Sequence, residues 1–110
     1  MKSNNQTITI MPTIFHITTK AEWETAKRKG YYDTHSLKEE GFIHCSEDRQ
    51  VSGVLQRYFQ NKKNLIKLVV ETDKLKSPFF FDWSVSVEDT FPHIYGPINI
   101  DAVKEIVAVN

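Results

Sequence analysis

The sequence predicts a single α+β domain, and three observations carry that reading. Stretches rich in β-branched and aromatic residues recur at residues 13–18, 65–72 and 79–87, the composition that fits a pleated, half-buried surface. Two intervening segments, residues 19–29 and about 47–59, carry helix start signals and helical spacing of apolar residues. A chain of 110 residues buries roughly two thirds of the surface its unfolded form exposes, which supports one core and leaves no room for a second.

Residues 1–11 are polar and read as a disordered lead or an alternative start, leaving residues 12–110 as the globular domain. The first strand, residues 13–18, alternates so that Phe15 and Ile17 share one face while Ile14, His16 and Thr18 share the other. Thr19 and Glu22 have capping-box spacing, and the helix they open runs through Trp23 and Ala26 to Gly30. Trp23 is its core anchor, and Lys27, Arg28 and Lys29 suit the negative end of its dipole as a solvated terminus.

Residues 31–35 read as a connection in which His35 is an exposed loop residue, with Tyr31 or Tyr32 placed to pack over a site. Ser36 and Glu39 repeat the capping-box spacing before a single helical turn closed by Gly41. Gly41 to Ser46 follows as a short strand in which Phe42, His44 and Ser46 share one face and Ile43 and Cys45 the other. From Val51, apolar residues recur at spacings of 3, 4, 7 and 8 through Val54, Leu55, Tyr58 and Phe59, the stripe of an amphipathic helix capped by Ser46 or Asp48. The near-continuous apolar run at residues 65–72 reads as a central strand. Residues 79–87 offer one long or two short strands, residues 91–97 a short extended segment stiffened by Pro92 and Pro97, and residues 105–109 a last strand.

Charge narrows the function classes. Lys and Arg total 14 and Asp and Glu total 14, so no global field attracts extended nucleic acid or anionic membrane. No run approaches the roughly 18 apolar residues of a membrane helix. Cys45 is the single cysteine, which rules out an intramolecular disulfide, fits a reducing cytoplasm and reads as a buried thiol. Nothing in the sequence sets an oligomeric state.

Three of the 4 histidines repeat one local design, histidine then apolar residue or cysteine then hydroxyl: His16-Ile17-Thr18, His44-Cys45-Ser46 and His93-Ile94-Tyr95. If Ile17, Cys45 and Ile94 face the core, the three imidazoles line one polar surface. Neutral imidazoles and hydroxyls there suit hydrogen bonds to ribose, carbonyl or phosphate oxygens. Three imidazoles can also hold zinc with an open position, but the sequence shows no helical histidine pair and no carboxylate evidently orienting each ring. A serine or cysteine nucleophile lacks a strained Gly-x-Ser-x-Gly elbow, and Cys45 faces away from the histidines. No metal site is assigned.

The combination of Phe15 to Thr18, Trp23, Gly30, Glu40 to Ser46, Gln50 and Phe91 to Pro97 resembles the domain-of-unknown-function family 952 from Met11 to the C-terminus. The first half is also similar to the ADP-ribosyltransferase-like superfamily, in the order His16, Trp23, Gly30 and His44 to Ser46. That resemblance implies a split, twisted, mainly antiparallel sheet with two main helices and a nucleotide cleft between the halves of the sheet. It implies NAD as ligand, with His16 on a ribose hydroxyl and His44 with Ser46 near the nicotinamide ribose. Ile17 stands where those transferases have a glycine, and His93 with Tyr95 where many have a catalytic glutamate. The resulting expectation is NAD or related ribonucleotide binding, with His16, His44 and His93 as catalytic candidates and Thr18, Ser46 and Tyr95 assisting, and with cleavage or transfer of ADP-ribose as the enzymatic version. The alternatives are a non-catalytic ligand-binding or interaction module and a histidine-ligated zinc hydrolase.

Overall fold

The computed structural model describes residues 11–110, so the expectation of a disordered lead falls almost wholly outside the described residues. Among the described residues eight strands and three α-helices follow one another as β1 (Thr13–Thr19), α1 (Lys20–Lys29), β2 (Tyr31–Tyr32), α2 (His35–Glu40), β3 (Ile43–His44), α3 (Val51–Tyr58), β4 (Leu65–Glu71), β5 (Phe79–Ser84), β6 (Asp89–Ile94), β7 (Ile98–Asn99) and β8 (Val103–Ala108). The chain is α+β, and every strand pairing is antiparallel.

Three sheets result, ordered β1-β4-β8, β2-β7 and β3-β6-β5. The apolar β4 lies at the centre of its sheet, as continuous hydrophobicity demands of a strand covered on both sides. A bridge between Phe15 and Ser46 ties the first sheet to the third, with Phe15 N donating to Ser46 O at 2.9 Å and Ser46 N to Phe15 O at 2.8 Å.

Strand β1 is buried on both faces, so each set of alternating side chains has its own core. Ile14 joins Trp23, Tyr32, Ile43, Leu68, Ile94 and Ile98 in the larger one. Ile17 meets Val51 and Leu65 on the other face, where Phe15, Val54, Leu55 and Phe59 complete the contact with α3. The amphipathic stripe of α3 therefore packs against β1. Its first turn is 3-10, Asp48–Gln50, with Glu47 at the N-cap rather than Ser46 or Asp48.

Helix α1 keeps the expected capping box, with Glu22 N donating to Thr19 Oγ1 at 3.1 Å and Thr19 N to Glu22 Oε1 at 3.2 Å. Trp23 and Ala26 are its buried residues, and Gly30 ends it at φ 94°. In α2 the cap is Thr34, whose Oγ1 accepts from Leu37 N at 3.2 Å. Ser36, expected as that cap, instead donates to Phe42 O at 2.8 Å and steadies the turn into β3. The tyrosines read as a connection form β2, and the last strand begins two residues earlier than its composition indicated.

Residues 79–87 form one strand and a turn. Val85 to Glu88 reverse the chain, with Glu88 at φ 59°, and β6 returns along β5 from the Ser84–Asp89 pair to the Phe79–Ile94 pair. Pro92 lies on β6, the middle strand of its sheet, where a missing amide is normally excluded. It is accommodated because the β3 ladder is only two residues long, and its carbonyl still accepts from Cys45 N at 3.0 Å. Among the described residues no helix is long and apolar enough to cross a membrane.

Candidate functional site

Strands β3, β6 and β5 bring a polar and aromatic cluster onto one outward face. His44 pairs with His93 across β3 and β6, and Phe80 pairs with His93 across β5 and β6. Directly opposed residues point the same way, so both imidazoles and Phe80 share that face. The alternate residues Ile43 and Ile94 are wholly buried beneath it, and Cys45 is 3 % exposed. Burial pushes the Cys45 thiol well above its ordinary range, which keeps it protonated and inert.

The His44 and His93 ring centres are 5.1 Å apart at 76°. Phe42 stacks on His93, with centres 4.1 Å apart and planes 15° apart, and meets His44 edge-on at 4.9 Å. Tyr95 borders the group, 5.4 Å from Phe42 and 5.6 Å from Phe80. Phe80 is 58 % exposed and presents an open aromatic surface beside the imidazoles.

Each imidazole of the pair is held by a carboxylate. His44 Nε2 lies 2.6 Å from Glu40 Oε1, and His93 Nδ1 lies 2.7 Å from Asp82 Oδ2. A carboxylate accepts, so the held nitrogen carries the hydrogen in each ring. That leaves His44 Nδ1 and His93 Nε2 without a partner among the described residues, and neither belongs to the buried unpaired atoms, of which Trp23 Nε1 is the example. Tyr95 donates its phenol to the same Asp82 oxygen. This bond lowers the Asp82 pKa and raises that of Tyr95. Burial pushes the His93 pKa down against the opposing pull of Asp82.

His16 occupies a different place. It points to the core side of β1, is 8 % exposed, and spends both nitrogens on the frame. Its Nδ1–H donates to the backbone carbonyl of His44 at 2.6 Å, so its neutral Nε2 accepts from the Tyr32 hydroxyl at 2.7 Å. Burial pushes its pKa down to about 4. Thr18, also buried, donates to Glu22 Oε1 at 2.6 Å. Ser46 is buried at the bridge to Phe15. The three histidines thus do not line one surface: His44 and His93 come together, with Tyr95 beside them, while His16, Thr18 and Ser46 lie in the interior behind β3. Alternation holds for His16 on β1, His44 on β3 and His93 on β6, but β3 ends at His44, so it does not carry Ser46 onto the same face, and it says nothing of how β1 is turned relative to β3.

Glu40 and Phe42 fall within the motif of the family resemblance without a role of their own, and Asp82 and Phe80 were not singled out from sequence, although two signals existed. Glu40 stands four residues before His44, and Asp82 interrupts an otherwise apolar run of aromatics. Orienting carboxylates, not evident beside each ring in the sequence, are therefore present for His44 and His93. The turn after Ser46 is closed by its own side chains: Gln50 Oε1 accepts from Glu47 N at 2.8 Å, and Arg49 grips Asp89 with two bonds of 2.9 Å. Gln50 adds bonds to Asp89 and to Thr90 O, and Arg49 leads the interactions that hold the Asp89 carboxyl below its usual range. His35 is exposed beside Glu39, 3.3 Å away. No group of three or more His, Cys, Asp or Glu among the described residues is arranged to hold a metal ion. A shallow cleft between α1 and β2, bordered by Glu22, Lys29 and Tyr32, does not include His44 or His93.

Fold and site together define a small α+β domain of antiparallel sheets that presents a pair of carboxylate-held histidines. The chain belongs to the family described as Protein of unknown function (DUF952), whose model matches residues 17–106. Among solved structures it is similar to the crystal structure of protein CC0527 from Caulobacter crescentus, with 28 % identity, 89 % of this chain and 86 % of that chain covered, and a TM-score of 0.81. The solution structure of the same protein also has 28 % identity, with 89 % and 84 % covered and a TM-score of 0.72. No curated protein matches the chain.

Proposed function

We propose that the His44–His93 face binds NAD or a related ribonucleotide. The observation that carries this reading is the pairing of two imidazoles 5.1 Å apart, each with one nitrogen held and one free, beside the exposed ring of Phe80. Free imidazole nitrogens and the Tyr95 phenol suit ribose hydroxyls and phosphate oxygens, and an open aromatic face suits a base. The residues therefore fit a nucleotide, with His44, His93 and Tyr95 as its direct partners. His16 and Thr18 act from behind, by fixing the strand that carries His44 and the start of α1, and Ser46 acts through the Phe15 bridge.

Two three-stranded sheets joined at Phe15–Ser46 support reading the fold as the split sheet of the ADP-ribosyltransferase-like superfamily. NAD would supply a glycosidic bond to a good leaving group. His44 and His93 would hold and orient the ribose and place a proton at a ring nitrogen.

The test is a titration of NAD and ADP-ribose against the wild type and His44→Ala, followed by thermal stability. A ligand that stabilises the wild type and not the variant is the expected result. Unchanged stability with every nucleotide overturns the reading. Nicotinamide release by purified protein separates turnover from binding alone.

A further inference from the structure

The two imidazoles are differently placed, and the difference assigns them different work. His93 has 13 % of its side chain exposed and lies under Phe42, whereas His44 has 55 % exposed beside Glu40. In each ring the carboxylate fixes which nitrogen carries hydrogen. The free nitrogen is therefore a lone pair when the ring is neutral and a donor when it is protonated.

Resting on the ribonucleotide reading above, we propose that His93 and His44 are the general base and general acid of a hydrolase for ribonucleoside 2′,3′-cyclic phosphates. In the step, Nε2 of His93 takes a proton from water as the water oxygen bonds to phosphorus. The bond between phosphorus and one ribose oxygen breaks, and its electron pair leaves with that oxygen. Nδ1–H of His44 protonates the departing oxygen, so water is added across the bond and a ribonucleoside monophosphate results. Proton exchange with solvent restores both rings.

The direction of transfer follows from the surroundings. His93 lies under Phe42, and burial lowers its proton affinity, which favours its neutral, basic form near pH 7, while His44 stands more open to water beside the Glu40 carboxylate, where it exchanges protons with solvent.

Charge selects the substrate class. Glu40 and Asp82 flank the pair, Arg49 is engaged by Asp89, and the chain has a formal net charge of +0. A phosphodiester with one negative charge meets less repulsion there than a dianionic monoester, and a polyanionic strand gains no field. A five-membered cyclic phosphate is strained, which lets two proton transfers carry its opening. Phe80 offers its open face to the base.

The experiment incubates the full chain with adenosine 2′,3′-cyclic phosphate across pH 4.5–9 and follows the monophosphate by chromatography and phosphorus NMR. The expected result is turnover with a bell-shaped pH profile, reduced by about 100-fold or more in His44→Gln and in His93→Gln. Glu40, Asp82 and Tyr95 face the pair and His16 lies behind it; Tyr95 and His16 are neutral over most of this range, so the two carboxylates are the charges that act on the limbs. Asp82→Asn moves the acidic limb to lower pH, because it removes the carboxylate that supports the His93 proton; a purely structural role for Asp82 leaves that limb in place. Melting curves establish that each variant is folded, and His44→Gln, at the more exposed ring, serves if His93→Gln is not.

Folded wild type without turnover overturns the acid–base pair, as does a folded His44→Gln within about threefold of the wild-type rate. Nucleotide binding without turnover defeats this proposal and leaves the ribonucleotide reading standing. Absence of both defeats both.

Discussion

Nδ1 of His16 donates to the backbone carbonyl of His44 across 2.6 Å, so a buried histidine holds the strand from which an exposed one projects. Tyr32 donates to the other nitrogen of His16 at 2.7 Å, which joins β2, β1 and β3 through a single neutral ring. The ring works in this position only while uncharged, since a protonated Nε2 would be a donor facing the hydroxyl of Tyr32 and a charge without water.

That arrangement makes stability depend on pH. The folded-state pKa of His16 is about 4 against an unfolded value of about 6.5, so the unfolded chain binds the proton first and stability falls as pH drops through that window. The loss from His16 amounts to about 2 kcal/mol between pH 7 and pH 4.5. Urea unfolding at both pH values measures it. In His16→Gln the pH-dependent difference shrinks by that amount, leaving contributions of the same sign from His93 and from the carboxylates held below their ordinary range.

Asp82 is shared between His93 and Tyr95, and its removal releases both. In Asp82→Asn the His93 pKa falls further, because the lost carboxylate favoured the imidazolium, and the Tyr95 pKa falls toward its ordinary value. Imidazole and phenol titrations by NMR read both shifts. A His93 pKa that rises or stays fixed contradicts the pairing.

Ile94 is wholly buried directly behind the cluster, opposite Ile43 on β3 and Phe79 on β5. Ile94→Ala removes three carbons from a close-packed place and costs about 2–5 kcal/mol, measured by chemical denaturation. Ile94→Val costs about 0.5–1.5 kcal/mol. The ordering of the two variants tests whether this position is core.

Thr19, half-buried, caps α1, with Glu22 completing the box. Thr19→Ala is expected to cost about 1 kcal/mol. Glu22 also accepts from Thr18, so Thr19→Ala and Glu22→Gln are non-additive, and a double-mutant cycle in urea reports the coupling.

Local signals were legible where the chain's own neighbours decide the outcome. Thr19 and Glu22 predict the α1 cap because both partners lie within one turn, and Gly30 and Gly41 predict its end and that of α2 because their φ of 94° and 90° lie in the left-handed region. Alternation placed Cys45 and Ile94 inside and the histidines opposite them. The β2–β7 pair is not legible in the sequence because Tyr31-Tyr32 has no local signature and depends on Ile98-Asn99, far along the chain. Asp89 and Thr90 joined β6 because β5 runs alongside them.

Sequence by itself determined the α+β class, the α1 cap, the glycine ends of α1 and α2, the central apolar strand β4 and the faces of β1, β3 and β6 on which a histidine stands. Periodicity fixes those through backbone geometry repeated every few residues. Tertiary structure alone decided that His16 turns inward behind β3, that His44 and His93 meet, and that Glu40 and Asp82 hold them. Those relations depend on how strands far apart in the chain are oriented to one another, and packing sets that orientation: β1 must bury Ile14 and Ile17 on opposite faces, whereas the β3-β6-β5 sheet buries one face beneath the cluster and leaves the other to water.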